Sequence, residues 1–185
     1  AQASLQVADR IDGKPPYQVV DAQPLMVLPD ANKGDLFFDF EGDPLWTVDG
    51  REWGLEYLWG VLTTTDEFHP FSAHDRASER QALIDFLAMV RKRMRRYPGM
   101  HIYHYAAYEK STLLRLSGRY GVGEAEVDEL LRSGVLVDLL PQVLEALGAE
   151  HAGIDVEVSI RGSYEAMERL AAGTLDIGLV AMPQP

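Results

Sequence analysis

Apolar and polar residues alternate with a period of two between about residues 35 and 62, and from residue 78 the period lengthens to that of a helix. The run Asp35-Leu-Phe-Phe-Asp-Phe-Glu41 predicts a strand that Gly42-Asp43-Pro44 stops. Trp46 to Arg51 lead into a hairpin turn at Asp49-Gly50. A second strand follows over Trp53–Leu62, with Trp53, Leu55, Tyr57, Trp59 and Val61 on one face, and a short edge strand over Phe68–Phe71, where Pro70 cannot donate to a ladder. Three strands in succession suggest an antiparallel meander. Ser78 and Gln81 are placed as a capping box for a helix whose buried face carries Leu83, Phe86, Leu87, Val90 and Met94 and which ends at Tyr97-Pro98-Gly99. Then come a strand over His101–Tyr105, a helix from Tyr108 to Arg119 closed by Gly118 or Gly121, a helix over Glu124–Arg132 and an apolar strand over Val135–Leu139. The strand at 101–105 is expected beside the first and parallel to it, with the long helix on one face of the sheet.

Two flanking segments differ from this middle. Residues 1–34, with Pro15, Pro16, Pro24 and Pro29, read as an irregular lead-in. From Leu140 the chain takes up an α-β-α-β alternation: a helix over 140–150, a strand over 154–160, a helix over 164–172 capped by Ser163 and a strand over 175–182. The expected organisation is thus a lead-in (1–34), an α/β domain with a mixed sheet (35–139) and an α-β-α-β tail (140–185) that extends it.

Composition narrows the function. The chain has 185 residues, of which 46% are hydrophobic and 25% charged, an ordinary globular balance. No apolar run approaches the roughly 20 residues of a membrane span, and the N-terminus lacks a secretory pattern, so a cytoplasmic location is expected. The chain begins with Ala1, which suggests a piece of something longer. With no cysteine, disulfides, thiolate catalysis and Cys-ligated zinc are excluded. The net charge of −12 opposes high-affinity nucleic-acid binding but not an enzyme with acidic metal ligands. The cluster Arg91, Lys92, Arg93, Arg95 and Arg96 reads as the solvated C-terminal end of a helix, where cations complement the dipole.

Asp39 and Glu41 lie two apart on a predicted strand, so both carboxylates project from one face. Side by side in an apolar strand they are costly unless a cation neutralises them, and a divalent metal with oxygen ligands does so. Taken alone, the pair equally suits an edge strand with both acids facing water.

The segments around the pair add a resemblance. Gly34-Asp-Leu-Phe-Phe-Asp-Phe-Glu-Gly-Asp-Pro44, Ser78-Glu-Arg-Gln-Ala-Leu-Ile-Asp-Phe86, His101-Ile-Tyr-His-Tyr-Ala-Ala-Tyr-Glu-Lys110 and Val135-Leu-Val-Asp-Leu139 occur in that order. Over about residues 1–139 this series resembles the RNase H-like domain of bacterial RecB-like nucleases, a branch of the DEDD 3′–5′ exonuclease superfamily. The resemblance implies an RNase H-like mixed sheet and phosphodiester hydrolysis on DNA or RNA, within a longer nuclease-helicase chain. It also implies two Mg²⁺ or Mn²⁺ ions. Asp39 and Glu41 match the first motif. Tyr108-Glu109 matches the aromatic-acid pair of the second, with Glu in place of the usual Asp. His104 stands where relatives carry Asn, either positioning substrate or serving as a satisfied, partly buried histidine. Asp138 is the candidate for the next acid. The helix that bears the last carboxylate and the general base in this branch has no counterpart at the expected distance, Ser163-Tyr-Glu-Ala-Met-Glu168 being too far downstream. Weak or absent turnover is therefore expected.

The tail resembles something else. Leu139-Leu-Pro-Gln-Val-Leu-Glu-Ala-Leu147, His151-Ala-Gly-Ile-Asp-Val-Glu-Val158 and Leu170-Ala-Ala-Gly-Thr-Leu-Asp-Ile-Gly-Leu179 are similar to the first part of the effector-binding domain of LysR-type transcriptional regulators. That would make the chain chimera-like, joined near Asp138–Pro141. The competing reading of the whole is a non-catalytic α/β module whose tail is a remnant of small-molecule binding.

Overall fold

The computed structural model describes residues 26–144; the expected tail strands and helices beyond that range, and most of the lead-in, lie outside the described residues. Five strands and three helices follow in the order β1 (Leu36–Thr47), β2 (Trp53–Thr63), β3 (Phe68–Ser72), α1 (Arg76–Arg96), β4 (Ile102–His104), α2 (Tyr108–Tyr120), α3 (Glu124–Arg132) and β5 (Leu136–Asp138). The sheet order is β3-β2-β1-β4-β5. The first three strands form the expected antiparallel meander, while β4 runs parallel to β1 and β5 parallel to β4. β1 is therefore central, and the edge placement under which its acids would merely face water does not hold.

The period-two pattern of β1 sets the two faces. Leu36, Phe38 and Phe40 are buried, whereas Phe37, Asp39 and Glu41 are exposed. Phe38 stacks on Phe86 of α1 with ring centres 4.5 Å apart, and Phe40 meets Trp59 edge-on at 4.6 Å. Leu113 and Leu116 of α2 and Val127 and Leu130 of α3 join the same cluster, so all three helices build one core with the Leu36–Phe40 face. Burying an aromatic side chain of this size contributes roughly 2–3 kcal/mol, so this face carries most of the sheet's packing.

Local chemistry shifts several boundaries. β1 continues past Gly42-Asp43-Pro44 to Thr47, with irregular register between Glu41 and Gly42 and between Asp43 and Thr47. The turn residues break the ladder's regularity without ending the strand, because irregular positions of this kind dispense with a ladder donor at Pro44. Along β2, Leu55, Trp59 and Val61 are buried but Trp53 and Tyr57 are exposed, since the same irregularity interrupts the single-face alternation. The cap of α1 also moves. Asp75 is the N-cap, its carboxylate accepting the Ser78 N–H at 2.7 Å, while the Ser78 hydroxyl faces back to the Asp75 backbone. Ser78 thus fills the third helical position of the box rather than opening it. The Ser78 N–H, together with the Ser78 hydroxyl that donates to Asp75 Oδ1 at 2.7 Å, holds the Asp75 carboxyl below its ordinary range. Arg93, Arg95 and Arg96 occupy the last turn of α1, as expected of cations at a helix C-terminus. Gly121, in the left-handed conformation at φ 58°, closes α2. Among the described residues, no helix is long and apolar enough to cross a membrane.

Candidate functional site

The face of the sheet opposite the helices carries the acid pair. Asp39 stands opposite Gly60 and Glu41 opposite Leu58 on β2. Gly60 leaves room for the Phe68 ring, which a side chain there would meet at 3.3 Å. Two residues before Asp39, Phe37 stacks on Tyr103 of β4 at 5.7 Å. Both carboxylates are exposed, so their oxygens are accessible from the open face.

The other expected site residues gather at the end of β4. His104 and Asp138 stand opposite each other in the β4–β5 register. His104 is buried, with Nδ1 2.8 Å from the Ala106 carbonyl and 3.3 Å from Glu109 Oε2. Because a carbonyl only accepts, Nδ1 carries the proton. Glu109, in the first turn of α2, is 2% exposed. Asp138 Oδ1 accepts the Ala106 N–H at 2.9 Å and the Leu140 N–H at 3.0 Å. The structure thus brings His104, Glu109 and Asp138 around one turn and places Asp39 and Glu41 together on β1.

A divalent cation bound through oxygen needs carboxylates that converge. Asp39 and Glu41 offer two side by side. Glu109 faces His104, Asp138 faces backbone amides, and among the described residues no three His, Asp or Glu side chains gather into a group able to hold a metal ion. The described residues therefore suit such a cation through the Asp39–Glu41 pair and leave the rest of its shell unsupplied.

Two further carboxylates, passed over in the sequence, are the most heavily bonded acids on the helix side. Glu56 of β2 takes the Tyr108 hydroxyl at 3.0 Å and an Arg115 Nη2 at 2.5 Å. Glu79 of α1 is fully buried; it accepts the Glu56 N–H at 2.6 Å, pairs with Arg76 at 3.2 Å and Arg119 at 3.4 Å, and meets the Tyr120 hydroxyl. Burial, with the neighbouring Glu56 charge and bond behind it, pushes the Tyr108 phenol up to about 12. Burial and Glu79 do the same for Tyr120, also to about 12. Gly42 leaves room for this network: a Cβ there would lie 2.5 Å from Glu56 Oε2 and displace that carboxylate. Glu56 lies between the apolar Leu55 and Tyr57, whereas Glu79, between Ser78 and Arg80, carries no such signal. Their partners, Arg115, Arg119 and Tyr120, come from another helix and could not be paired with them by spacing.

Comparison with protein families gives a match to the RNase_H_2 model of the RNase H superfamily over residues 36–158. No curated protein and no solved structure matches the chain. The family match begins at the first residue of β1, takes in every strand and helix described above and runs beyond the change of character read at 139–140. With a mixed five-stranded sheet in the order 3-2-1-4-5 and more than half of its length matched, the chain belongs to the RNase H superfamily.

Proposed function

We propose that the protein is a metal-dependent nuclease that hydrolyses phosphodiester bonds of DNA or RNA in the manner of the DEDD exonucleases, with turnover slowed by an incomplete set of acids. The observation that carries this reading is the pair Asp39 and Glu41, exposed side by side on the central strand of an RNase H superfamily sheet. Superfamily membership itself points to nuclease-like chemistry on nucleic acid and weighs against the non-catalytic module. Asp39 and Glu41 would hold Mg²⁺ or Mn²⁺; the family resemblance implies Glu109 as a further oxygen donor, although here it is buried against His104 and does not gather with the pair. A cation so held supplies Lewis-acid stabilisation of the charge that develops on the phosphate oxygens.

The protein's own groups set the rest. The β1 backbone, paired with β2 through Asp39 and Glu41 and with β4 at Leu36 and Phe37, fixes the two acids on one face. The burial of Phe38 and Phe40 between them prevents the strand from rolling those acids into the core, because a slip of one residue would exchange the faces. The net charge of −12 slows encounter with a polyanion. We also keep as proposals that the tail from residue 140 derives from a LysR-like effector segment and that the domain is part of a longer chain. Both rest on the sequence segments that suggested them.

Degradation of labelled single-stranded DNA and RNA with Mg²⁺ or Mn²⁺ tests the proposal. Slow, metal-dependent hydrolysis that falls at least ~100-fold in Asp39→Asn is expected, since an acid at a two-metal site acts on the transition state. Hydrolysis that is unchanged in the variant, or absent from the wild type with both metals, overturns it. Robust hydrolysis would instead show that the set of acids is complete.

A further inference from the structure

We propose that Asp138 and His104 are positioning residues: together they clamp the β4–α2 turn in a left-handed conformation that sets the start of α2 and Glu109, and Asp138 acts through this turn rather than as a cation ligand. The inference rests on the preceding reading only in treating Glu109 as part of the site.

The key residue is Ala106, whose φ of 68° lies in the left-handed region. A side chain with a Cβ is disfavoured there, and such a conformation persists only where its surroundings impose it. Both polar groups of Ala106 are held. Its N–H donates to Asp138 Oδ1 at 2.9 Å, and its carbonyl accepts from His104 Nδ1 at 2.8 Å. The two clamping side chains come from adjacent strands, where they are partners in register. His104 also sits against Glu109, its Nδ1 3.3 Å from Glu109 Oε2 without a hydrogen bond between them. Asp138 extends the clamp the other way through the Leu140 N–H at 3.0 Å. One oxygen thus ties the turn to the segment that becomes helical at residue 140.

The start of α2 leans on this arrangement, with the Tyr108 hydroxyl bonded to Glu56 as its other tie. Its N-cap, Ala107, makes no side-chain cap bond, so no capping side chain holds the first turn in which Tyr108 and Glu109 sit. Glu109 Oε2 and His104 Nε2 are buried without a hydrogen-bond partner among the described residues, so Glu109 is placed by packing against His104. Rotating the Ala106 peptide would therefore move Glu109 directly. Asp138, whose Oδ1 serves two backbone donors, has the bonding pattern of a turn clamp.

The experiment combines the imidazole NMR signals of His104 with hydrolysis and Mn²⁺ titration on the full chain. The wild type is expected to show a proton on Nδ1 held in a hydrogen bond to the Ala106 carbonyl. Asp138→Ala should lose that signature and, where hydrolysis is measurable, lower it by roughly tenfold or more, the scale of a small misplacement near reacting groups. Asp138→Asn keeps an acceptor oxygen and should retain the signature. Asp138→Ala/Ala106→Gly should recover it, because glycine reaches the left-handed region unaided. Ala106→Val leaves Asp138 untouched but resists that backbone, and should reproduce the loss even if Asp138→Ala does not fold. The proposal is overturned if the His104 signals are unchanged in Asp138→Ala or Ala106→Val. It is equally overturned if Asp138→Asn is as damaging as Asp138→Ala, Mn²⁺ binding weakens in both and Ala106→Gly restores nothing, the pattern of a cation ligand. A wild type without hydrolysis would count against the nuclease reading alone, since the ring signals still decide the clamp.

Discussion

Two pairs of acids stand on opposite sides of one sheet. On the helix side, Glu56 and Glu79 are buried and bonded to arginines, tyrosine hydroxyls and a backbone amide. On the open side, Asp39 and Glu41 are exposed on the central strand, and among the described residues the one hydrogen bond to either side chain comes from the Phe40 N–H to Asp39. The first pair is committed to holding helices against strands. The second keeps its oxygens for something that arrives. Acidity and placement on a strand or helix do not separate structural from functional carboxylates, but the partners they already have do.

The comparison breaks most visibly under mutation. Glu79→Ala should destabilise the protein by about 3–5 kcal/mol, because it strands Arg76 and Arg119 beside a buried void. For a chain of this size that lowers the unfolding midpoint by roughly 10 °C. Asp39→Asn should leave the midpoint within about 1–2 °C of wild type, as surface changes do. Thermal denaturation of the two variants side by side checks both, and a large loss in Asp39→Asn would mean that the open-face acids are structural after all.

A smaller effect sharpens the same contrast through pH. Tyr108 and Tyr120, bonded to the buried acids, are raised from about 10 to about 12. Between those values the folded state holds protons that the unfolded state has released, so stability is fully present below pH 10 and falls as pH rises toward 12. Both phenols are partly exposed, and solvent screening moderates the size of the loss. Denaturant midpoints measured from pH 9 to 12 should therefore decline more steeply for wild type than for Tyr108→Phe/Tyr120→Phe. Parallel curves would show that the tyrosines are not coupled to Glu56 and Glu79 as described.

Much of the frame was legible in the sequence because it depends on local pattern. The period-two run at 36–41 placed Asp39 and Glu41 on one face and the phenylalanines on the other, and the helical period of 83–94 placed Leu83, Phe86 and Val90 in the core. What stayed hidden depends on neighbours distant in the chain. Nothing around Glu79 announces Arg119 and Tyr120, some 40 positions later, as its partners. The left-handed Ala106 gave no signal either, since glycine or asparagine is the residue that normally marks such a turn, and here two side chains from β4 and β5 impose it. The capping box spans Asp75–Ser78 and not Ser78–Gln81: Ser78 suits the first position as well as the third, and only Asp75's bond to its N–H decides between them.

The account's central claim is that the open-face pair, and not the helix-side pair, is the cation-binding element. Isothermal titration of Mn²⁺ into wild type and Asp39→Asn tests it most directly. The account predicts a binding heat in the wild type that Asp39→Asn removes or weakens by at least ~10-fold, since a lost carboxylate takes away one of few oxygen ligands. Equal Mn²⁺ binding by the two proteins would contradict it.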